Sequence, residues 1–439
     1  MDQRIKLVAK EFLEKIKDKE IQVISHFDTD GITSAAIMIK TLKKLDKTFS
    51  VKIVKNLEPK LINSLPKNKI TVFLDLASNS LNHIKKAGLE NVFIIDHHEI
   101  IQEIPENVQI INPELDEKQK ISGSGMTYLF CKEIIPDSKE LAKLAVLGMI
   151  GDCLEKNLDK INNQILIDGE IIKKRGLLIY PSTRPINRVL EYSSNPYLPG
   201  ITGDTKGVLN FLRETGITPK NGKYKSIIEL DEKEMSKLIT SILLLNPKAK
   251  ENGEILGDIF LIKLFNKLED ARELSAMINA CSRMGESSTA IQLCLEIPRA
   301  KKRAEALHVK YKQILVSGLD FASKTEKIEG NGYVIINAKD KIKDTVIGTI
   351  ASILSNSFLY EQGTIIIAMA YDENKIKVSS RIAGKKGKNV RIVLNDVVSK
   401  IGGEVGGHEF AAGCVIEKQK EEEFINNVKK NFEVELVKI

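Results

Sequence analysis

The 439-residue chain has no tryptophan, and aromatic residues make up only 5% of it. With lysine, glutamate and isoleucine abundant, that composition fits a thermophile. The five cysteines, Cys131, Cys153, Cys281, Cys294 and Cys414, are scattered, and none stands in a CxxC pair. Such spacing offers neither a disulfide framework nor a structural zinc site, so they are expected as small core residues. Long apolar runs are missing too: no stretch reaches the ~18 consecutive apolar residues a membrane span needs. The opening MDQRIKLVAKEFLEKIKDKE has helical period and alternating charge without an apolar h-region. This argues against a signal peptide, and the expected location is cytoplasmic, with no membrane partner. Neither an internal repeat nor a low-complexity tract is visible.

What is present is a composition of 42% hydrophobic and 28% charged residues, that of a globular protein able to bury a large core. The length exceeds one compact core and implies two or three domains. Lys and Arg (66) outnumber Asp and Glu (59), giving +7 and a pI of about 8.8, a modest lean towards an anionic partner.

Through the first third, apolar runs alternate with helical periods: IQVISHFD then ITSAAIMIKTLKKL, VKIVKN, ITVFLDLAS then LNHIKKAG, and VFIIDHHEI. Strands alternating with helices imply a doubly wound α/β domain with a parallel sheet. Residues 121–150 read as two helices, the second apolar and buried, ending at Gly151-Asp152. The Pro-, Ser- and Gly-rich stretch 181–203 breaks the pattern as a boundary or active-site loop. The expected organisation is a parallel-sheet domain over 1–199, an inserted module of shorter helices over 200–267, completion of the first domain plus an exposed connecting helix over 268–325, and a smaller α/β domain over 326–439.

Polar clusters fall where strands or a buried helix end. Asp28 and Asp30 follow IQVIS, Asp75 follows TVFL, Asp96-His97-His98 follow VFII, and Asp152 follows LAKLAVLGMIG. In a parallel α/β sheet, ligands bind outside the carboxyl ends of the strands. Alone, an Asp after a strand caps a helix or forms a turn. Four such clusters that one sheet brings together point instead to hard divalent cations, which prefer carboxylate oxygen with some imidazole; two ions can clamp the attacking and leaving oxygens of a phosphoester displacement. Gly31 lets the backbone turn tightly after Asp30.

The set HFDTDG, FLDLAS, IIDHH and LGMIGDC resembles, in order, the four motifs of the DHH phosphoesterase superfamily. NNQILIDG and residues 278–295, INACSRMGESSTAIQLCL, resemble segments of RecJ nucleases, and residues 402–416, GGEVGGHEFAAGCVI, resemble the Gly-Gly-His-x-x-Ala-Ala-Gly signature of the DHH-associated C-terminal domain. With its insert, the chain looks most like archaeal RecJ-like proteins, including the GINS-associated nucleases.

The resemblance implies two Mn²⁺ or Mg²⁺ ions, one on Asp30, Asp75, His97 and Asp152, the other on Asp28 and Asp75, with Asp75 bridging. Relatives carry a histidine four positions before the first aspartate, where Ile24 stands here; His26 is the candidate replacement. It further implies that His98 contacts substrate phosphate or supports the site. Arg283 would contact a terminal phosphate and Ser379 with Arg381 a further one, while Gly406, Gly407 and His408 let a nucleic-acid backbone approach closely. Cys281-Ser282 stands where Ala-Gly is usual before that arginine. The basic loop 384–391 suits sequence-independent phosphate contacts or is an ordinary solvated loop. The implied activity is a divalent-metal-dependent exonuclease on single-stranded DNA or RNA, 5′→3′ on DNA favoured, in replication or repair. Two alternatives stand beside it: a replisome scaffold binding GINS and single-stranded DNA, and an oligoribonuclease or cyclic-dinucleotide phosphodiesterase.

Overall fold

The structure, a computed structural model, describes all residues except 117–118, 157, 194–197, 199, 246–254, 358, 385, 404 and 434–439. Part of the Pro-rich stretch 181–203, Lys385 of the basic loop and Glu404 of the glycine-rich segment therefore lie outside the described residues. The chain divides into two compact units, Met1–Arg175 with Asp258–Val309, and Gly176–Gly257 with Lys310–Ile439.

In the first unit, helix α1 (Asp2–Lys15) leads into strand β1 (Ile21–His26), helix α2 (Thr29–Lys44), β2 (Phe49–Val54), β3 (Ile70–Leu74), β4 (Asn91–Ile95) and β5 (Val108–Ile111). The strands form one sheet in the order β2-β1-β3-β4-β5, and every pair is parallel. Central strands β1, β3 and β4 are almost wholly buried because helices cover both faces, with the buried polar Gln22 and Thr71 hydrogen-bonded to each other, whereas edge strand β2 alternates. One face carries α1, α2, α3 (Gly123–Ile134) and α4 (Ala142–Gly151), whose Phe12, Ile37, Tyr128 and Leu147 join Val23, Val72 and Phe93. Helices Pro59–Ser64 and Leu81–Ala87 cover the other face, with Ile62, Leu81 and Ile84 against Phe73 and Ile94. Each such side chain, taken from water, contributes on the order of 1.5–3 kcal/mol. The chain leaves β1 towards β2 on one side and returns to β3 on the other, and this reversal opens a crevice at the strands' carboxyl ends.

Beyond α4 come β6 (Ile172–Leu177), β7 (Leu256–Leu264), β8 (Lys267–Asp270) and helix α5 (Ala271–Arg283), the three strands forming a small sheet in chain order. At β7 the structure departs from the sequence reading, which gave residues 204–267 to shorter helices. The run Ile259–Ile262 is continuously buried, and Phe265 and Asn266, both at positive φ, close the tight turn that pairs β7 with β8.

The second unit holds helices Ile186–Glu191, Thr205–Thr215 and Glu232–Leu245, then β9 (Ile328–Gly330), β10 (Tyr333–Asn337), α6 (Asp344–Ser355), β11 (Ile365–Asp372), β12 (Lys375–Ile382), α7 (Val390–Val398), β13 (Val405–His408), β14 (Ala411–Glu417) and α8 (Glu421–Glu433). The strands order as β13-β14-β12-β11-β10-β9; only β10 and β11 run parallel. Ile335, Ile367, Val378, Val397 and Phe424 anchor its core. The 27-residue helix Pro298–Lys324 carries the chain from one unit to the other.

Candidate metal centre

The crevice of the first unit gathers the strand-end residues. Asp28 is the N-cap of α2, its Oδ1 accepting the Gly31 N–H at 3.0 Å. A Cβ on Gly31 would lie 2.3 Å from the His26 carbonyl, so only glycine permits the turn. Two residues on, Asp30 is buried, and its carboxylate lies against the start of α3: Oδ2 accepts the Gly123 N–H at 2.5 Å and Oδ1 the Ser124 N–H at 2.9 Å. Helix N-terminal N–H groups favour and orient such an anion. Gly148 of α4 closes over the same carboxylate, since a Cβ there would sit 2.3 Å from Asp30 Oδ1 and 2.1 Å from Ser124 Oγ.

Asp75 occupies the centre. It is buried, at φ 57°, a left-handed conformation in which aspartate is less strained than most residues, and its N–H donates to Ile95 at the end of β4. Its two oxygens face different partners. Oδ1 lies 3.2 Å from His97 Nε2, which also stands 3.5 Å from Asp152 Oδ2 and 3.8 Å from Asp30 Oδ2. Oδ2 lies 3.4 Å from His26 Nδ1, itself 2.9 Å from Asp28 Oδ2. Three overlapping donor groups result, Asp30 with His97 and Asp152, His26 with Asp28 and Asp75, and Asp75 with His97 and His98, each compact enough to hold a metal ion.

Burial pushes the Asp75 carboxyl well above the usual carboxylate range, and the Asp30 and Asp28 carboxylates add to that. Burial and Asp30 raise Asp152 in the same sense. Burial would lower His26, but Asp28 and Asp75 outweigh it and push the imidazole up to about 10. Burial would conversely raise Asp28, yet His26 holds it at about 2. His97 is raised by Asp30 and Asp152 against the effect of burial.

His98, besides its place in the third donor group, is held by Asp96. Its Nδ1 is bonded to Asp96 Oδ1 at 2.7 Å, and Asp96 also accepts the backbone N–H groups of His97, His98 and Ser78. Asn112 then donates to Ser78 Oγ and to the His98 carbonyl. The bond to Asp96 raises His98 against burial, and despite burial the bonds from His98 and Ser78 hold Asp96 below the usual carboxylate range. Sequence reasoning gave Asp96 no separate role and missed Ser78, Asn112, Gly123, Ser124 and Gly148. For Gly123 and Ser124 the signal was SGSG opening a helical period; for Gly148, a glycine inside an apolar helix just before Asp152.

Arg283, at the end of α5, donates from Nε to Asn279 Oδ1 at 3.1 Å, and its guanidinium lies 5.9 Å from the ring centre of Phe27, between His26 and Asp28 in sequence. The remaining sequence candidates lie in the second unit. Arg381 donates from Nε to Ser352 Oγ and from NH1 to the carbonyls of Ser380 and Ala412, and Ser379 is buried beside Gly348. Gly406, Gly407 and His408 form most of the exposed strand β13.

Three family models match the chain: the DHH family N-terminal domain over residues 20–149, the DHH-CID domain over 179–251 and the DHHA1 domain over 331–433. The uncharacterized protein MJ0831 of Methanocaldococcus jannaschii is 31% identical over 442 residues, an alignment covering 97% of this chain and 96% of that protein. The chain belongs to the DHH superfamily. Among solved structures, this DHH protein is similar to RecJ of Thermus thermophilus in complex with Mn²⁺ (TM-score 0.62, 18% identity). That match covers 97% of this chain and 54% of RecJ, so the chain spans about half of the RecJ polypeptide. CDC45 of Entamoeba histolytica is also similar, with a TM-score of 0.71 and 11% identity over 97% of this chain and 99% of that one. At these identities the likeness is one of fold, and the fold is RecJ-like.

The donor set fits divalent metal. Both Asp75 oxygens and Asp152 Oδ2 are buried and accept no hydrogen bond of regular geometry, only the close approaches of His26 and His97, an arrangement that costs free energy unless a cation faces them. Carboxylate with imidazole is the ligand chemistry of Mn²⁺ and Mg²⁺ rather than of thiolate-preferring metals.

Proposed function

We propose that the protein is a divalent-metal-dependent phosphodiesterase that degrades single-stranded nucleic acid from an end, with 5′→3′ action on DNA as the favoured mode and RNA as a further substrate. One observation carries the reading: Asp75 turns its two buried oxygens towards two different donor groups. Asp30, Asp75, His97 and Asp152 would hold one ion, and Asp28, Asp75 and His26 the other. Bound there, such ions activate water and neutralise charge on a phosphodiester.

The chain's own residues do the rest. Asp30 is fixed by two backbone N–H groups and Asp28 by its cap, so both ligands are oriented before substrate arrives. His98, half-exposed and bonded through Nδ1 to Asp96, which raises its pKa, would offer Nε2 as a donor to a phosphate oxygen. Arg283, steadied by Asn279 and stacked towards Phe27, supplies a planar fork for a terminal phosphate, which supports action from an end.

The fold likeness to CDC45 is compatible with a second reading, a replisome scaffold that would bind GINS and single-stranded DNA. The complete donor set favours the enzyme. The test is digestion of single-stranded DNA and RNA labelled at the 5′ or the 3′ end, with Mn²⁺ and with Asp75→Ala as control. Loss of label by wild type alone supports the nuclease, and the first label released gives polarity. Strand binding by both proteins without cutting supports the scaffold.

A further inference from the structure

We infer that Phe410 is a stacking platform for a nucleobase, set beside the strand edge Gly406–His408 that the family resemblance already gives to the nucleic-acid backbone. The inference rests on the nucleic-acid reading above and names how the second unit would hold the strand.

Phe410 and Glu409 form the two-residue turn between β13 and β14, and the phenylalanine is 42% exposed. In a chain this poor in aromatics, a large ring left in water is worth explaining. The ring is not on a loose loop. The Phe410 carbonyl accepts the Ile382 N–H at 3.2 Å, and the neighbouring Glu409 carbonyl accepts the Val390 N–H at 2.8 Å. The turn is thus tied both to the end of β12 and to the first turn of α7, which Asn389 caps through the N–H groups of Arg391 and Ile392. An aromatic surface on a fixed backbone can stack without first being ordered.

The strand leading to the ring supplies the second observation. Gly407 is explained by the fold: its φ is 116°, and a Cβ would lie 2.3 Å from the Ala411 carbonyl. Gly406 is not. It has no positive φ, and a Cβ there would meet nothing within 4 Å, yet the position in an edge strand carries no side chain. A glycine that neither conformation nor packing requires marks close approach from outside. The approaching group meets exposed peptide edge, then His408, then the Phe410 ring.

Charge and apolar surface around the turn fit the same occupant. Lys386 and Arg391 are exposed on the segment tied to Glu409, and Ile392, on that first helical turn, is 59% exposed. Cationic side chains, exposed peptide and an aromatic face are the combination that takes a single strand without reading its sequence, because every base has a π-face.

The test compares Phe410→Ala and Phe410→Tyr with wild type in Mn²⁺-free buffer. The probes are a fluorescein-labelled deoxythymidine oligonucleotide and an abasic strand of the same length, followed by anisotropy. Stacking predicts that Phe410→Ala weakens binding of the base-bearing strand by about 5- to 150-fold, that Phe410→Tyr restores it, and that binding of the abasic strand stays as in wild type. Equal weakening on both strands, or none on either, overturns the inference while leaving the nuclease reading standing. Wild type that binds neither strand overturns both. Unchanged thermal unfolding of Phe410→Ala separates lost stacking from lost fold; a variant that unfolds is replaced by Gly406→Val, which must weaken both strands if the backbone passes that edge, and leaves the inference overturned if it weakens neither.

Discussion

Gly148 and Asp30 are packed so closely that a single methyl group on the glycine would stand 2.3 Å from the carboxylate. The buried helix α4 therefore has a second task besides filling the core: it seals the wall behind Asp30, a proposed metal ligand. Gly148→Ala is expected to push Asp30 off its two backbone donors, lowering Mn²⁺ affinity or activity by about 10- to 100-fold. Overpacking of this kind also costs about 1–3 kcal/mol of stability. Isothermal titration with Mn²⁺ alongside thermal unfolding checks both; a variant that binds Mn²⁺ as wild type does would show that the wall yields elsewhere.

The relation of Asp96 to His98 yields a pH prediction. Asp96 raises His98, so the imidazolium persists to higher pH than a free imidazole would. If that cation donates to substrate phosphate, activity falls as pH rises through the His98 value. Asp96→Asn removes the ion pair, lowers that value and moves the alkaline limb of the kcat/KM profile to lower pH, with a drop of about 10- to 100-fold at its maximum. An alkaline limb that stays in place would remove His98 from the proposed role.

Much of this clustering was legible in the sequence, because the candidate ligands Asp28, Asp30, Asp75 and His97 follow strands and a parallel sheet aligns strand ends by necessity. Asp152 could be collected differently, at the end of a buried apolar helix. What could not be read were contacts made across the fold. The backbone N–H groups of Gly123 and Ser124 reach Asp30 over about 93 residues of chain, and Asn112 reaches Ser78 across the sheet. Backbone donors leave no residue type to recognise. The strand β7 was missed for a different reason: a short apolar run has no period to separate strand from helix.

Four carboxylates and three imidazoles share one crevice, and the proton load sets how metal binding depends on pH. Asp75 and Asp152 are raised, and His26 is pushed up to about 10, so each holds a proton at higher pH than an isolated group would. Metal must displace those protons. Mn²⁺ affinity is therefore expected to rise from about pH 6 to about pH 8, with protons released on binding. Titrations in buffers of different ionisation enthalpy measure the release directly, and affinity independent of pH would contradict the assignment of these groups as ligands.

Mutual repulsion also burdens the metal-free protein. At a pH high enough to ionise the raised Asp152 carboxyl, Asp152→Asn removes one charge from beside Asp30 and Asp75 while leaving the shape almost unchanged. Without metal this variant should be more stable than wild type, by about 1 kcal/mol or roughly 2–4 °C. With Mn²⁺ the order reverses, because wild type gains stability from the bound ion and the variant gains less. Thermal unfolding in EDTA and in Mn²⁺ reads both halves; a variant less stable than wild type in EDTA would mean that the repulsion is already relieved.

Salt dependence separates charge from stacking in the second unit. For a single strand, each phosphate neutralised by a lysine or arginine contributes about −0.7 to the slope of log K against log salt concentration. Lys386 and Arg391 are exposed on the segment tied to the Glu409–Phe410 turn, whereas Lys388 lies 4.5 Å from the ring centre of Phe432 and is held in the fold. Changing Lys386 and Arg391 together to glutamine should flatten the slope by about 1.4. Phe410→Ala should weaken binding at every salt concentration and leave the slope alone, because stacking releases no counterions. A double glutamine variant with an unchanged slope would return the basic loop to the status of an ordinary solvated one, and a Phe410→Ala slope that flattened would mean that the ring orders the cations instead of meeting a base.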